Sequence, residues 1–396
     1  MNVNIKETKY AFPTTRYSLI QGIYWMVFCV INSFASVYLL DKDFASGQIG
    51  LTMALAGIIS VILQPLVAAA SDKTPKISLK VIIITQIIII VISAAVLLIV
   101  PLKFLGIAIF YGIMIALLQM MNPFISSLGM GFINRGVPIN FGVARGMGSI
   151  FCAGLSFVFG FWVTKFGTEL IPIFVIFLYL LLLINVVSFR FKVKERHFEV
   201  PLVDEIEKTG FFKGYGSFFV LLVGITGLFI SHNMMNNFMM QIVSTLGGGS
   251  QEMGISMALQ AMVELPTMMA FGWINRRAKS GTLLKISGIF FALKVFFTAI
   301  AGSITAVYMA QSIQMFGFAL FTPAAIYYVN TAMKEKDRIK GQAFMTITAT
   351  LGSVFGSLLG GYLIDLVGVT YMLYTSMGIA IIGTVIIWFS VNENID

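Results

Sequence analysis

Hydrophobic and charged positions alternate on a long scale. Residues 17–40, 44–71, 81–102, 104–134, 170–189, 214–251, 295–333, 341–364 and 366–392 contain no Asp, Glu, Lys or Arg. The ~30 Å hydrocarbon core of a bilayer takes ~20 apolar helical residues to cross. Nearly every run supplies one crossing, and 214–251 and 295–333 are each long enough for a helix, a turn and the start of the next. The pattern predicts twelve helices, at about 16–40, 46–70, 78–100, 104–132, 141–165, 169–190, 215–245, 251–275, 282–303, 305–332, 340–365 and 368–391. Between them fall Asp41-Lys42-Asp43, Ser71–Pro75, Pro101, Pro138, Gly167, Gly247-Gly248-Gly249, Gly281 and Gly368, the residues that interrupt helices and make turns.

Composition excludes a soluble chain. Hydrophobic residues make up 58% and charged residues 11%, against about 25% charged in soluble domains. The first apolar segment is too long for a signal-peptide core and no small-residue cleavage pattern follows it, so it is expected to stay as the first transmembrane helix. Cys29 and Cys152 both lie in apolar segments. Two thiols and two histidines support neither a disulfide framework nor a metal site.

The net charge of +9 takes its meaning from position. The N-terminus (Lys6, Lys9, Arg16) and the loops after predicted helices 2, 4, 6, 8 and 10 hold 21 of the 26 Lys and Arg residues. The opposite side holds Lys42, Lys103 and Lys165. The positive-inside rule puts the rich side, and both termini, in the cytoplasm. The charge is a topology signal, and no nucleic-acid partner is implied.

The longest polar stretch follows predicted helix 6 and reads as a cytoplasmic linker. It divides the chain into bundles at 1–190 and 215–396, joined by 191–214. The halves echo one another. Gly50-Leu51-Thr52-Met53-Ala54-Leu55 opens helix 2 and Gly254-Ile255-Ser256-Met257-Ala258-Leu259 opens helix 8. The basic turn 71–76 corresponds to 275–280. Helices 5 and 11 end in Gly160–Gly167 and Gly361–Gly368. The predicted fold class is all-α integral membrane, twelve helices in two pseudo-symmetric six-helix bundles. Parallel six-helix repeats place a binding site between the halves, near the bilayer midplane.

These segments resemble the major facilitator superfamily over almost the whole chain. Within it they are most similar to the lactose-permease-like proton symporters and their relatives proposed for aromatic acids. The resemblance is carried by Ile49-Gly50 through Gln64-Pro65 to Ser71-Asp72-Lys73, by Asn140-Phe141-Gly142-Val143-Ala144-Arg145, by Glu264-Leu265 and Ile274-Asn275-Arg276, and by a helix-9 cation at Lys294. It implies proton-coupled transport, with Asp72 and Lys73 in the inward gate. The sugar symporters' helix-4 acid is replaced by the stretch Ser126-Ser127-Leu128, and their stacking tryptophan by Cys152. Their helix-10 histidine and glutamate fall on Gln314 and Gly317, and their helix-7 acids near His232 and Met235. Galactoside specificity therefore does not carry over.

Ionisable residues inside a membrane are costly and usually functional. Glu264 is the one carboxylate well inside a predicted helix; Asp365, near the end of helix 11, reads as interfacial. Ser256, Gln260, Glu264 and Thr267 share one helical face. Glu264 is expected to load and release a proton, and Lys294 to be its partner; the alternative is a structural Glu264–Lys294 salt bridge. Arg145, with Ser149, Cys152 and Ser156, is expected to hold substrate; the alternative is a side chain snorkelling to the interface. The N-terminal half has no deeply buried acid to neutralise Arg145, which leaves room for an anionic substrate. Further polar faces carry Gln21, Trp25 and Asn32 (helix 1), Gln119 and Asn122 (helix 4), His232, Asn236 and neighbours (helix 7), and Gln311 and Gln314 (helix 10). Each could be helix–helix glue; together they describe a shared cavity. The expected substrate-binding set is Arg145, Trp25, Asn32, Asn122, His232, Asn236, Gln260 and Gln314.

No phosphate-cradling loop, metal-ligand spacing or nucleophile–base pair is present, so catalysis is not expected and no cofactor is called for beyond a proton gradient. The expected function is proton-coupled uptake of a small polar solute, a sugar or an organic anion, by a plasma-membrane protein working as a monomer. The alternative is proton-driven export of drugs or metabolites; helix 5 lacks the proline-containing glycine motif usual in such antiporters. A non-transporting receptor is the third reading, disfavoured by the Glu264, Lys294 and Arg145 set.

Overall fold

The computed structural model describes residues 12–73, 78–191 and 214–391. Among these, eleven helices are long and apolar enough to cross a membrane, or twelve when one bent pair is taken as a single span. In chain order they are α1 (Pro13–Ser33, bent by 41° into Ala35–Asp41), α2 (Ser46–Lys73), α3 (Leu79–Ile99), α4 (Phe104–Asn134), α5 (Phe141–Phe166) and α6 (Leu170–Ser188). The rest are α7 (Gly216–Asn237, continued by Met239–Ser244), α8 (Ser250–Ile274), α9 (Ser280–Ala299), α10 (Ile304–Ala332), α11 (Arg338–Val367) and α12 (Val369–Ser390). The protein is an all-helical, multi-pass membrane protein. The expected linker lies almost wholly at 192–213, outside the described residues.

Local signals account for where helices begin and end. Asn140 caps α5, its Oδ1 accepting from Val143 N at 3.0 Å, and Ser78 and Ser303 cap α3 and α10 in the same way. Gly167 and Gly368, which the internal repeat aligns, end α5 and α11 with the same left-handed φ of 86° and 87°, a conformation that favours glycine.

Three helices expected to be continuous are not. In α1, Cys29–Ser33 form a π-helical turn. In α7, Phe238 separates two helical stretches. In α10, Ile313–Met315 tighten into a 3-10 turn, and Gly317, with ψ −99°, leaves helical geometry altogether. Hydropathy cannot see such breaks, because a π or 3-10 turn is as apolar as the helix around it. Irregular backbone at membrane depth survives only where protein or a wet cavity surrounds it.

Helices α1 to α6 pack among themselves, α1 on α5 and α6, and α4 on α2 and α3. Helices α7 to α12 do the same, with α7 on α11 and α12, and α9 on α10 and α12. Two seams join the sets, α2 on α11 and α5 on α8. Both seams close at the same end. A Cβ on Gly50 would lie 2.2 Å from Ser357 O, and one on Gly254 would lie 2.5 Å from Ser156 O, so backbones touch where only glycine fits. Toward the other end, Gly146 of α5 and Gly272 of α8 have no atom within 4 Å of where a Cβ would lie. The close glycine contacts between the two sets of helices thus gather at one end.

Candidate functional site

In the second half of the chain, α8, α9 and the 3-10 turn of α10 bring three polar side chains together. Lys294 Nζ donates to Gln314 Oε1 at 2.7 Å, and Gln314 Nε2 donates to Glu264 Oε1 at 2.9 Å. An amide can join a cation to an anion only in this sense, oxygen to ammonium and nitrogen to carboxylate. Lys294 and Gln314 are buried and Glu264 is half-buried. Gln314 thus stands between the two charges expected to pair directly. Among the described residues Glu264 Oε2 has no hydrogen-bond partner, so the carboxylate keeps a free acceptor. Along α8 the side chains of Ser256 and Gln260 are buried, and Ser256 Oγ and Gln260 Oε1 have no partner; both polar ends of Gln311 are likewise unpaired. Unpaired buried polar atoms are uncommon; these lie on two helices of the relay, and others lie on α1, α3, α6 and α7.

In the first half, Arg145 turns inward. Its Cζ lies 3.9 Å from the centroid of the Trp25 ring, a cation–π contact between α5 and α1. Gly148, one turn on, makes room: a Cβ there would fall 2.5 Å from Trp25 Cδ1. Arg145 is half-buried and makes no hydrogen bond or ion pair among the described residues. Trp25 Nε1 is buried and also unpaired. The guanidinium is therefore held in place by stacking while its donors stay free.

The remaining expected residues divide. His232 bonds Asn236 Nδ2 at 2.8 Å and stacks on Phe318, ring centroids 5.1 Å apart and nearly parallel. The pair is built into the wall of its own half. Asn32 lies in the π-helical turn of α1 and Asn122 is exposed on α4; neither has a hydrogen bond among the described residues. Gln21, taken above as part of a wet face, is buried and donates to Tyr17 OH at 2.7 Å, so it is glue. Asp72 and Lys73 end α2, and their side chains lie outside the described residues. The basic turn 275–280 lines a separate cleft of about 320 Å³ with Tyr327 and Thr331.

Several contacts had no sequence signal that singled them out. Ser36 Oγ of α1 donates to Asn237 O of α7. Gln241 Nε2 reaches Ser46 Oγ at 3.4 Å. Asp365 of α11, expected at an interface with solvent, accepts from Ser46 N and Gly47 N of α2. All join the two halves, and all lie at the closed end.

The helices form two sets joined along two seams, with Arg145, Glu264 and Lys294 inside the spans. The chain matches the family described as the MFS_1 like family over residues 17–375 and belongs to it, within the major facilitator superfamily. It is a membrane transporter and not an enzyme. Its fold is similar to that of the nucleoside transporter NupG, with a TM-score of 0.78 at 14% identity over 96% of this chain and 98% of that one. A D-xylose-proton symporter gives a TM-score of 0.71 at 13% identity over 96% and 97%. A putative multidrug resistance protein, MdtD of Escherichia coli O81 (strain ED1a), is 23% identical over 131 residues, which are 33% of this chain and 27% of that protein. That match spans well under two thirds of the relative's length.

Proposed function

We propose that this protein takes up a small polar solute, a sugar or an organic anion, driven by the proton gradient. The observation that carries the reading is the Lys294–Gln314–Glu264 bridge facing an Arg145 with free donors. Protonation of Glu264 removes the charge that Gln314 bridges to Lys294, which loosens the relay. A solute bound at Arg145 and at the unpaired Gln260 engages both halves at once. Either ligand then needs only to favour one orientation of the halves over the other. Trp25, Asn32, Asn122 and Gln314 contribute polar or stacking surface around that position, with His232 and Asn236 shaping the wall. The nucleoside transporter and the D-xylose-proton symporter with this fold support a polar solute. The protein works as a monomer in the plasma membrane with both termini cytoplasmic, because the basic loops lie on that side. On this reading the solute site is reached from the cytoplasm, and Asp72 and Lys73, at the end of α2, belong to the inward gate.

The partial likeness to MdtD favours a second reading, export. Proteoliposomes decide between them. Under an inward proton gradient, with labelled sugars, nucleosides and small organic acids as probes, wild type is expected to concentrate one class and Glu264→Gln only to equilibrate it. Concentration by both proteins alike would rule out Glu264 as the coupling group. Extrusion of a probe against its gradient would put export first.

A further inference from the structure

The first N–H groups of a helix have no partner within it. At α2 they find one in the other half of the molecule. Ser46 N donates to Asp365 Oδ1 at 2.9 Å and Gly47 N to Asp365 Oδ2 at 2.6 Å, so one carboxylate on α11 holds both. The residue before α2 is Ala45, which has no side-chain acceptor, and Gln48 Oε1 is occupied with Ala45 N at 2.9 Å. The carboxylate sits directly against Gly47: a Cβ there would lie 2.7 Å from Asp365 Oδ2.

The other seam has no such contact. Helix α8, which repeats the place of α2, has the same local bond, Glu252 Oε2 accepting from Gly249 N at 2.8 Å as Gln48 Oε1 does from Ala45 N, but no carboxylate from the other half on its first N–H groups among the described residues. The residue that the repeat aligns with Asp365 is Thr164, and its hydroxyl donates back to Gly160 O at 3.0 Å within α5. Among the described residues a carboxylate thus caps a helix of the other half at one seam only. A carboxylate on a helix N-terminus gains from both the N–H groups and the helix dipole. Parting α2 from α11 removes both hydrogen bonds together.

We infer that Asp365 is the latch of the closed end: it caps α2 in trans, and the cavity opens on that side only when the cap is released. This rests on the alternating-access reading but not on any particular solute. The test therefore reads access rather than transport. Cys152, half-buried on α5, is the native reporter, labelled with a membrane-impermeant maleimide in right-side-out and in inverted vesicles. Wild type is expected to label from one face only, and which face that is tests the assigned orientation separately. Removing a helix cap costs 0.5–2 kcal/mol, so Asp365→Ala is expected to speed labelling from the protected face by about tenfold. Asp365→Asn, which keeps the size and one acceptor, is expected to fall between. Cys29 is fully buried and reports unfolding if a variant labels there as well. Asp365→Asn is the milder variant should Asp365→Ala unfold. Wild-type labelling rates from the protected face in the folded variants would overturn the latch.

Discussion

At the scale of single residues, the site depends on groups that hold charge without cancelling it. Gln314 keeps Glu264 and Lys294 linked yet apart. Gln314→Leu strips one hydrogen bond from each charge, and bonds to charged groups are worth about 1.5–3 kcal/mol. The variant is expected to unfold at a lower temperature in detergent and to lose proton-driven accumulation; thermal unfolding and proteoliposome uptake check the two separately. Arg145→Lys keeps the charge but loses the planar stack on Trp25, a contact worth about 0.5–2 kcal/mol. It is expected to raise KM several-fold with little change in kcat, as measured by solute exchange. Glu264, Lys294 and Arg145 were legible in the sequence because ionisable residues are rare in apolar runs. The role of Gln314 was not, since a glutamine in such a run reads equally well as cavity lining or as helix–helix glue.

At the scale of helices, the seams require backbone contact at one end and separation at the other. Gly50 cannot take a side chain without displacing Ser357 O. Gly50→Val is expected to hold the α2–α11 seam open, seen as fast labelling of Cys152 from the protected face. Gly146, with nothing near its missing Cβ, shows the opposite behaviour: Gly146→Ala is expected to stabilise the fold by up to about 1 kcal/mol through helix propensity alone, measured as a higher unfolding temperature. Both glycines look alike in the sequence. Helix positions followed from the lengths of the apolar runs and from the turn-forming residues between them; the caps at Asn140 and Ser78 came from the structure. The breaks in α1, α7 and α10 did not, because they keep the same hydropathy.

At the scale of the whole molecule, the proposed orientation rests on the basic loops, and the two seams between the halves close at the same end. Reporter fusions are expected to place the C-terminus and the 191–214 segment in the cytoplasm, and an enzyme active only outside the cell is expected to work when inserted at Gly247–Gly249. Activity in the reverse pattern would turn the assigned orientation over. With that orientation the seam contacts of Gly50 and Gly254 lie toward the outside of the cell, and the proposed alternating access requires both seams to part.

Sequence alone determined that this is a polytopic all-helical transporter. The reason is that a bilayer imposes run length, charge asymmetry and the scarcity of buried ions directly on residue order. Only the tertiary structure decided that Glu264 and Lys294 meet through an amide, that Arg145 stacks on Trp25 with its donors free, and that Asp365 caps a helix more than 300 positions away. Each of these contacts depends on where helices from distant parts of the chain come to lie against one another. Hydropathy, which measures each segment against lipid, carries no record of that.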